Sequence, residues 1–444
     1  MRIKLDIPLT LKEIAIAIGA PLRCQSYGVT HIVTDSRMIQ KEDLFFALSG
    51  EKHDGNDFIK DAKSKGACTV GKNGDIPCSN TAHALLRLGA YYKQKLPKLQ
   101  HTIAITGSTG KSTTKEILSS ILSDQFKVHK TEDNFNNIIG VSYTLLSAPT
   151  STEILILELG MNHKGEIATL SQALAPDIAL ITNIGTSHIG NLGSKEKIAA
   201  AKLEIKMGLS GHLVIPYDEP LLKNENGYRF STSSKDADIY IERDALHKEI
   251  RKVYSQGVMK PYALKTDADH IAYNASAAFC VAELCNFAPA AQYEFLANSR
   301  ENIRQKLIKS NNFDILCDYY NASLESFISG FKYVSSLSYK HKSALIGDVL
   351  ELGEYTEDIH FKIGKLAAES GFERLFLFGS FAEHTRNGAL SAGFPYEEIY
   401  INKNYDLPEI TARQIITATM HGELIYAKAS HKSDLGRITN LLKD

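Results

Sequence analysis

Eight consecutive residues, Thr106-Gly107-Ser108-Thr109-Gly110-Lys111-Ser112-Thr113, hold the densest chemistry in the chain. They follow an apolar run at residues 103–105 and precede a stretch whose Ile117, Leu118, Ile121 and Leu122 share one helical face. Strand, glycine turn and helix start, in that order, make an anion cradle. Backbone N–H groups and the positive end of the helix point at phosphate oxygens, and Lys111 reaches the terminal phosphates. The hydroxyl of Ser112 is placed to ligate Mg²⁺. Ile105 stands where the first glycine of the full phosphate-loop pattern falls, while a dinucleotide fingerprint would need three glycines and no lysine here. The turn therefore predicts ATP or GTP as ligand and disfavours hydride transfer.

Two later strand ends add candidates. The apolar run 154–159 closes on Glu158-Leu159-Gly160-Met161-Asn162-His163. A carboxylate at the carboxyl end of a parallel strand faces the ligand crevice, so Glu158 is a candidate Mg²⁺ ligand. The run 178–184 leads into Gly185-Thr186-Ser187-His188, which brings His188 to the same rim. In the helical segment 195–207, Ile198, Ala201, Lys202 and Ile205 fall at i, i+3, i+4 and i+7, so a lysine lies inside the apolar stripe. Two accounts fit that spacing. The amine snorkels to water past its own methylenes, or burial neutralises it and it reacts with CO₂ to give a carbamate, an anion able to hold a metal.

Three α/β units in series are expected to position these groups. In the first, Leu11–Ile18 reads as an amphipathic helix, 30–35 and 43–48 as strands, and 57–65 as a helix; the polar stretch 92–99, with Pro97 inside it, reads as a boundary. In the second, apolar runs at 102–106, 154–159 and 178–184 alternate with helices, the pattern of a parallel, doubly wound sheet, and 273–287 is an Ala-rich helix. In the third, strands at 313–319, 343–350, Arg374–Phe378 and 423–427 alternate with helices at 323–335, 358–369 and 433–442. The expected domains are 1–98, 99–296 and 297–444.

Composition closes off other classes. Lys plus Arg (50) against Asp plus Glu (51) leave a formal charge of -1, without the cationic excess of a sequence-independent nucleic-acid binder. Hydrophobic residues at 43% suit a globular chain rather than a disordered one. No apolar stretch is long enough to span a bilayer, and Met-Arg-Ile-Lys-Leu-Asp-Ile-Pro at the start lacks the apolar core of a secretory signal, so a cytoplasmic protein is expected. Cys24, Cys68, Cys78, Cys280, Cys285 and Cys317 form no Cys-x-x-Cys pair, which argues for reduced thiols over a zinc site or a disulfide scaffold.

The motifs resemble those of the Mur ligases, the ATP-dependent amide-forming family of peptidoglycan assembly. The likeness runs through 107–116, Asn134-Phe135-Asn136-Asn137-Ile138-Ile139-Gly140, 158–167, 182–188 and Ala201-Lys202-Leu203-Glu204-Ile205. It extends to Thr34-Asp35-Ser36-Arg37 near the start and to Asp318-Tyr319-Tyr320-Asn321-Ala322-Ser323 and Gly347-Asp348-Val349-Leu350-Glu351-Leu352-Gly353 in the third unit. It implies a UDP-sugar-binding N-terminal domain, a central ATP-binding domain with a parallel sheet of P-loop type, and a Rossmann-like C-terminal domain. The Asn-Asn-x-Ile-Gly, Tyr-Asn-Ala and Gly-Asp-x-Leu-Glu-Leu-Gly segments point to the branch that joins D-alanyl-D-alanine to UDP-N-acetylmuramoyl-tripeptide through an acyl phosphate.

Residue by residue, the resemblance implies that Gly107, Ser108, Thr109, Gly110, Lys111, Ser112 and Thr113 hold ATP phosphates. Ser112 or Thr113, Glu158 and His188 would surround two Mg²⁺ ions, with Lys202 carbamylated and bridging to metal. Lys111, Glu158, His188 and Lys202 are thus the expected catalytic set. Asn274 would lie beside the adenine, Arg304 and Asp318 would reach the nucleotide from the C-terminal domain, Ser36 would contact the UDP-sugar, and Asn137 and Asn321 the substrate peptides. Leu324, Phe327, Val349, Asn56 and Ala429 depart from the family's usual residues, mostly in the C-terminal domain. A monomer is expected. A folylpolyglutamate- or cyanophycin-synthetase-like ligase on the same scaffold, and a non-catalytic nucleotide-binding module, remain open on sequence alone.

Overall fold

Three β-sheets follow one another along the chain in the computed structural model, which describes residues 1–50, 53–247, 249–288, 294–296, 306–310 and 312–443. The first holds Arg2–Thr10, Gly28–Val33, Leu44–Phe46, Cys68–Gly71 and Ile76–Pro77 in chain order, antiparallel at the first pair and parallel thereafter. Helix Leu11–Ile18 buries Leu11, Ile14, Ala15 and Ile18, the expected stripe, and opens on a reciprocal Thr10–Glu13 cap. Of the stretch expected as a boundary, residues 95–99 lie between helix Thr81–Gln94 and strand His101–Thr106, while Tyr92 belongs to the helix. It is a fully buried residue of helix Thr81–Gln94, and its hydroxyl accepts the amides of Asp6 and Ile7 at 3.0 and 3.1 Å.

Among the described residues the second sheet has ten strands. From Val128–Lys130 through Ile154–Glu158, His101–Thr106, Ile178–Ile181, His212–Pro216 and Tyr228–Ser231 to Ile239–Arg243, every pair is parallel. Every residue of Ile154–Glu158 and Ile178–Ile181 is buried, because helices cover both faces, and this is why those strands read as unbroken apolar runs. The sheet is not parallel throughout, however. Ile250–Ser255 and Val258–Lys265 form an antiparallel hairpin across Gln256-Gly257, whose positive φ values close the turn without a crossover helix.

Strand His101–Thr106 has Ile154–Glu158 on one side and Ile178–Ile181 on the other. The chain therefore leaves this strand in opposite directions, and ligands of such sheets bind at the crevice this reversal opens.

The third sheet orders Lys306–Lys309, Phe313–Cys317, Glu423–Lys428, Lys342–Gly347, Arg374–Phe378 and Ile399–Asn402; only the first pair is antiparallel. Helices Leu324–Ser336, Thr356–Glu369, Ala382–Ser391, Pro408–Ala418 and Leu435–Leu441 cover it. The turns that follow Phe313–Cys317, Lys342–Gly347 and Glu423–Lys428 all face the crevice of the second sheet. The six cysteines are free thiols, and among the described residues no helix is long and apolar enough to cross a membrane.

Candidate active site

A cleft of about 1610 Å³ opens where the central sheet reverses. The phosphate loop, Asn136, Glu158 and His188 line one wall, and Asp318, Asn321 and Glu351 line the other. His83 reaches it from the first unit.

The loop folds as its glycines require. Gly107 has φ 151°, and a Cβ there would lie 1.8 Å from Thr182 Oγ1; Gly110 has φ 78°, and a Cβ there would lie 2.4 Å from Asn274 Oδ1. Gly110 then caps helix Lys111–Leu122, and the N-terminal end of a helix favours an anion. Lys111 Nζ curls over the turn and donates to the Gly107 carbonyl at 2.8 Å. Asn183, which the sequence reading passed over, braces the turn. Its Oδ1 accepts the Ser108 and Thr109 amides at 3.1 and 2.9 Å, and its Nδ2 donates to Thr109 Oγ1 at 2.7 Å.

Glu158 is 1% exposed at the end of its strand. Its carboxylate accepts from Ser112 Oγ at 2.6 Å and from Asn136 Nδ2 at 3.0 Å. Lys115, also buried, lies 4.0 Å away and donates to the Thr131 carbonyl at 2.6 Å. A carboxylate and a hydroxyl are hard oxygen donors that suit Mg²⁺, which keeps water and phosphate for its remaining positions. Among the described residues no three His, Cys, Asp or Glu side chains converge on one point.

His188 stands at the rim with φ 64°, its Nδ1 2.7 Å from Glu351 Oε2. That contact holds the Glu351 carboxyl below the usual range. Lys202 is 2% exposed, so its amine does not snorkel to water. Burial, and then the nearby charge of Lys111, push its ammonium well below the usual lysine range. Lys202 lies behind the residues that line the cleft rather than among them.

Thr113, Asn137, Asn274, Asp318 and Asn321 all line the cleft. Asn137 also caps helix Ile138–Leu146 by accepting the Gly140 amide at 2.9 Å, and Asn321 accepts the Ala322 amide at 2.9 Å. Asp318 accepts from Lys428 Nζ at 2.9 Å and from Tyr426 Oη at 2.5 Å. Ser36 opens the short turn Ser36–Met38 of the first unit and is not among the residues lining this cleft. Arg304 lies outside the described residues. Asn183, Lys115 and Glu351 lie inside the motif segments, but their contacts to Ser108, Glu158 and His188 join residues far apart in sequence, so spacing alone gave them no role.

Residues 105–282 match the family model described as Mur ligase middle domain, and 28–85 match the model described as Mur ligase family, catalytic domain. The chain is 33% identical over 452 residues to the UDP-N-acetylmuramoyl-tripeptide–D-alanyl-D-alanine ligase of Bacillus subtilis (strain 168), covering 97% of this chain and 98% of that one. The chain belongs to the Mur ligase family. This Mur ligase is also 32% identical to the ligase of the same name from Rickettsia prowazekii (strain Madrid E), over 84% of its own length and 87% of that protein. Its fold is shared with MurF from Acinetobacter baumannii, with TM-score 0.83 at 24% identity over 99% of this chain and 100% of that one. MurF from Thermotoga maritima in complex with ADP aligns with TM-score 0.79 at 24% identity, over 92% and 96%.

Proposed function

We propose that this Mur ligase joins D-alanyl-D-alanine to UDP-N-acetylmuramoyl-tripeptide at the expense of ATP, as a cytoplasmic monomer. The observation that carries this reading is a phosphate loop beside a buried carboxylate, in a cleft bounded by two domains. Whole-chain likeness to ligases of that name supports it. Residues 1–98 would hold the UDP-sugar through Ser36, 99–296 the ATP, and 297–444 the dipeptide.

The terminal carboxylate of the tripeptide is a poor electrophile, so it attacks the γ-phosphorus of ATP first. The bond to the bridging oxygen breaks, ADP leaves, and an acyl phosphate forms. Lys111 and the first amides of helix Lys111–Leu122 offset charge on the transferring group. Ser112, Thr113, Glu158 and His188 would hold Mg²⁺, which neutralises phosphate oxygens when bound. Lys202, buried and driven toward its neutral amine, is suited to carbamate formation. Asn274 and Asp318 face the nucleotide. The dipeptide amine then attacks the acyl carbon, the C–N bond forms, a proton is lost, and phosphate departs.

ADP formation should need ATP, the UDP-linked tripeptide and D-alanyl-D-alanine together, and Lys111→Ala should lower kcat by about 10³-fold. ADP formation with a different acid and amine, and none with this pair, would overturn the reading.

A further inference from the structure

The C-terminal domain meets the central domain at several points, among them the Lys332–Asp269 ion pair and the loop 185–187. Glu325 lies in the first turn of helix Leu324–Ser336, directly after the cleft-lining segment 320–323. Its carboxylate crosses the domain boundary and takes two hydrogen bonds from Thr186, from the amide at 3.0 Å and from Oγ1 at 2.9 Å, with Lys195 Nζ 3.5 Å away. The fit is tight, since a Cβ on Gly185 would fall 2.8 Å from the Glu325 carboxyl carbon. The gripped loop is bonded in turn to the phosphate loop: the Gly185 amide donates to Ser108 Oγ at 2.8 Å, and Ser187 Oγ to the Ser108 carbonyl at 3.2 Å. A second strip of contact runs alongside. The Gly190 amide donates to the Glu351 carbonyl at 3.2 Å, and Tyr355 Oη to the Gly193 carbonyl at 2.6 Å. There the backbones are so close that a Cβ on Gly190 would lie 2.4 Å from Gly353 N.

We propose that Glu325 is a positioning residue for amide formation: through Thr186 it ties the acceptor-side segment 320–323 to the phosphate loop, so that the acyl phosphate meets the amine before it meets water. The inference rests on the reaction proposed above. Its structural part, a bolt between two domains, stands on the contacts alone. The two hydrogen bonds from Thr186 to the Glu325 carboxylate form only when the domains are docked, so docking and registration of the two half-sites become a single event.

The test is the ratio of ADP formed to amide formed, measured with ATP, UDP-linked tripeptide and D-alanyl-D-alanine. The wild type should give a ratio of one. Glu325→Ala should raise it to about two or more, by leakage of the acyl phosphate to water, and raise the KM for the dipeptide, while ATP affinity stays within about twofold. Glu325→Gln, which keeps one acceptor oxygen, should fall between. Thr186→Val should also leak, and the double variant Glu325→Ala/Thr186→Val should be little worse than Glu325→Ala alone. A ratio of one in both single variants, or a loss shared equally by ATP affinity and thermal stability, would overturn the proposal. If even the wild type makes no amide, the reaction assigned above fails instead, and small-angle scattering still reads the bolt. Glu325→Ala should then enlarge the radius of gyration, and an unchanged radius would sink it.

Discussion

His188 and Glu351 face each other across the two domains, each with φ 64°, with Nδ1 of one 2.7 Å from Oε2 of the other. Left-handed backbone at two non-glycine residues is costly, and it survives where surrounding packing over-determines it, as at the strip between Gly190 and Gly353. The backbone contacts therefore hold the pair in place more than the charges do. Because the Glu351 side chain is 47% exposed, water screens the pair. Glu351→Gln should slow turnover only about two- to fivefold and leave the unfolding midpoint unchanged. Steady-state kinetics beside a thermal melt checks this.

Lys202 should be far less forgiving. Its amine is buried and held well below the usual lysine range, which is the state that reacts with CO₂. Lys202→Ala should lower kcat by about 10²-fold or more, and short carboxylates such as formate should restore part of it by standing in for the carbamate. Labelling with ¹³C-bicarbonate should give a carbamate carbon resonance in the wild type and none in the variant. Near-normal activity in Lys202→Ala would end the carbamate role.

Gly110, like Gly107, leaves no room for a side chain in the loop. At φ 78°, with Asn274 Oδ1 where a Cβ would go, Gly110→Ala meets both backbone strain and a clash. The cost should be about 1–3 kcal/mol of stability in a urea titration. ATP affinity should weaken as well, since Asn274 must be pushed aside.

At the N-terminal cap, Lys95 first and then the amide and hydroxyl of Thr10 hold the Glu13 carboxyl down to about 2 from an ordinary 4.5. A depressed carboxyl contributes stability above its unfolded value and loses it as pH falls through the folded one. Glu13→Gln should therefore melt about 1–2 °C below the wild type at pH 7. That gap should start to close below pH 4.5 and be gone near pH 2. A gap that is constant over this range would show that the cap acts by shape alone.

What could be read along the chain was whatever neighbouring residues decide between them. The phosphate loop is one uninterrupted segment, so its turn, lysine and helix start declare themselves together. Glu158 and His188 follow apolar runs whose burial on both faces makes them visible, and the stripe around Lys202 is a matter of helical period. The short strand Ile399–Asn402 offers an apolar run of only three residues, and the hairpin 250–265 is half-buried with polar residues interleaved, so neither declares itself as the buried runs do. The site's assembly depends on pairings between remote residues: Glu325 meets Thr186 across 139 positions, and Asn183 meets Ser108 across 75. Ser36, legible as a motif, ends up away from the cleft's lining for the same reason. Local chemistry is written in spacing, because helix and strand periods are local. Which groups meet across a cleft is settled only when whole sheets dock, since that depends on every layer packed between them.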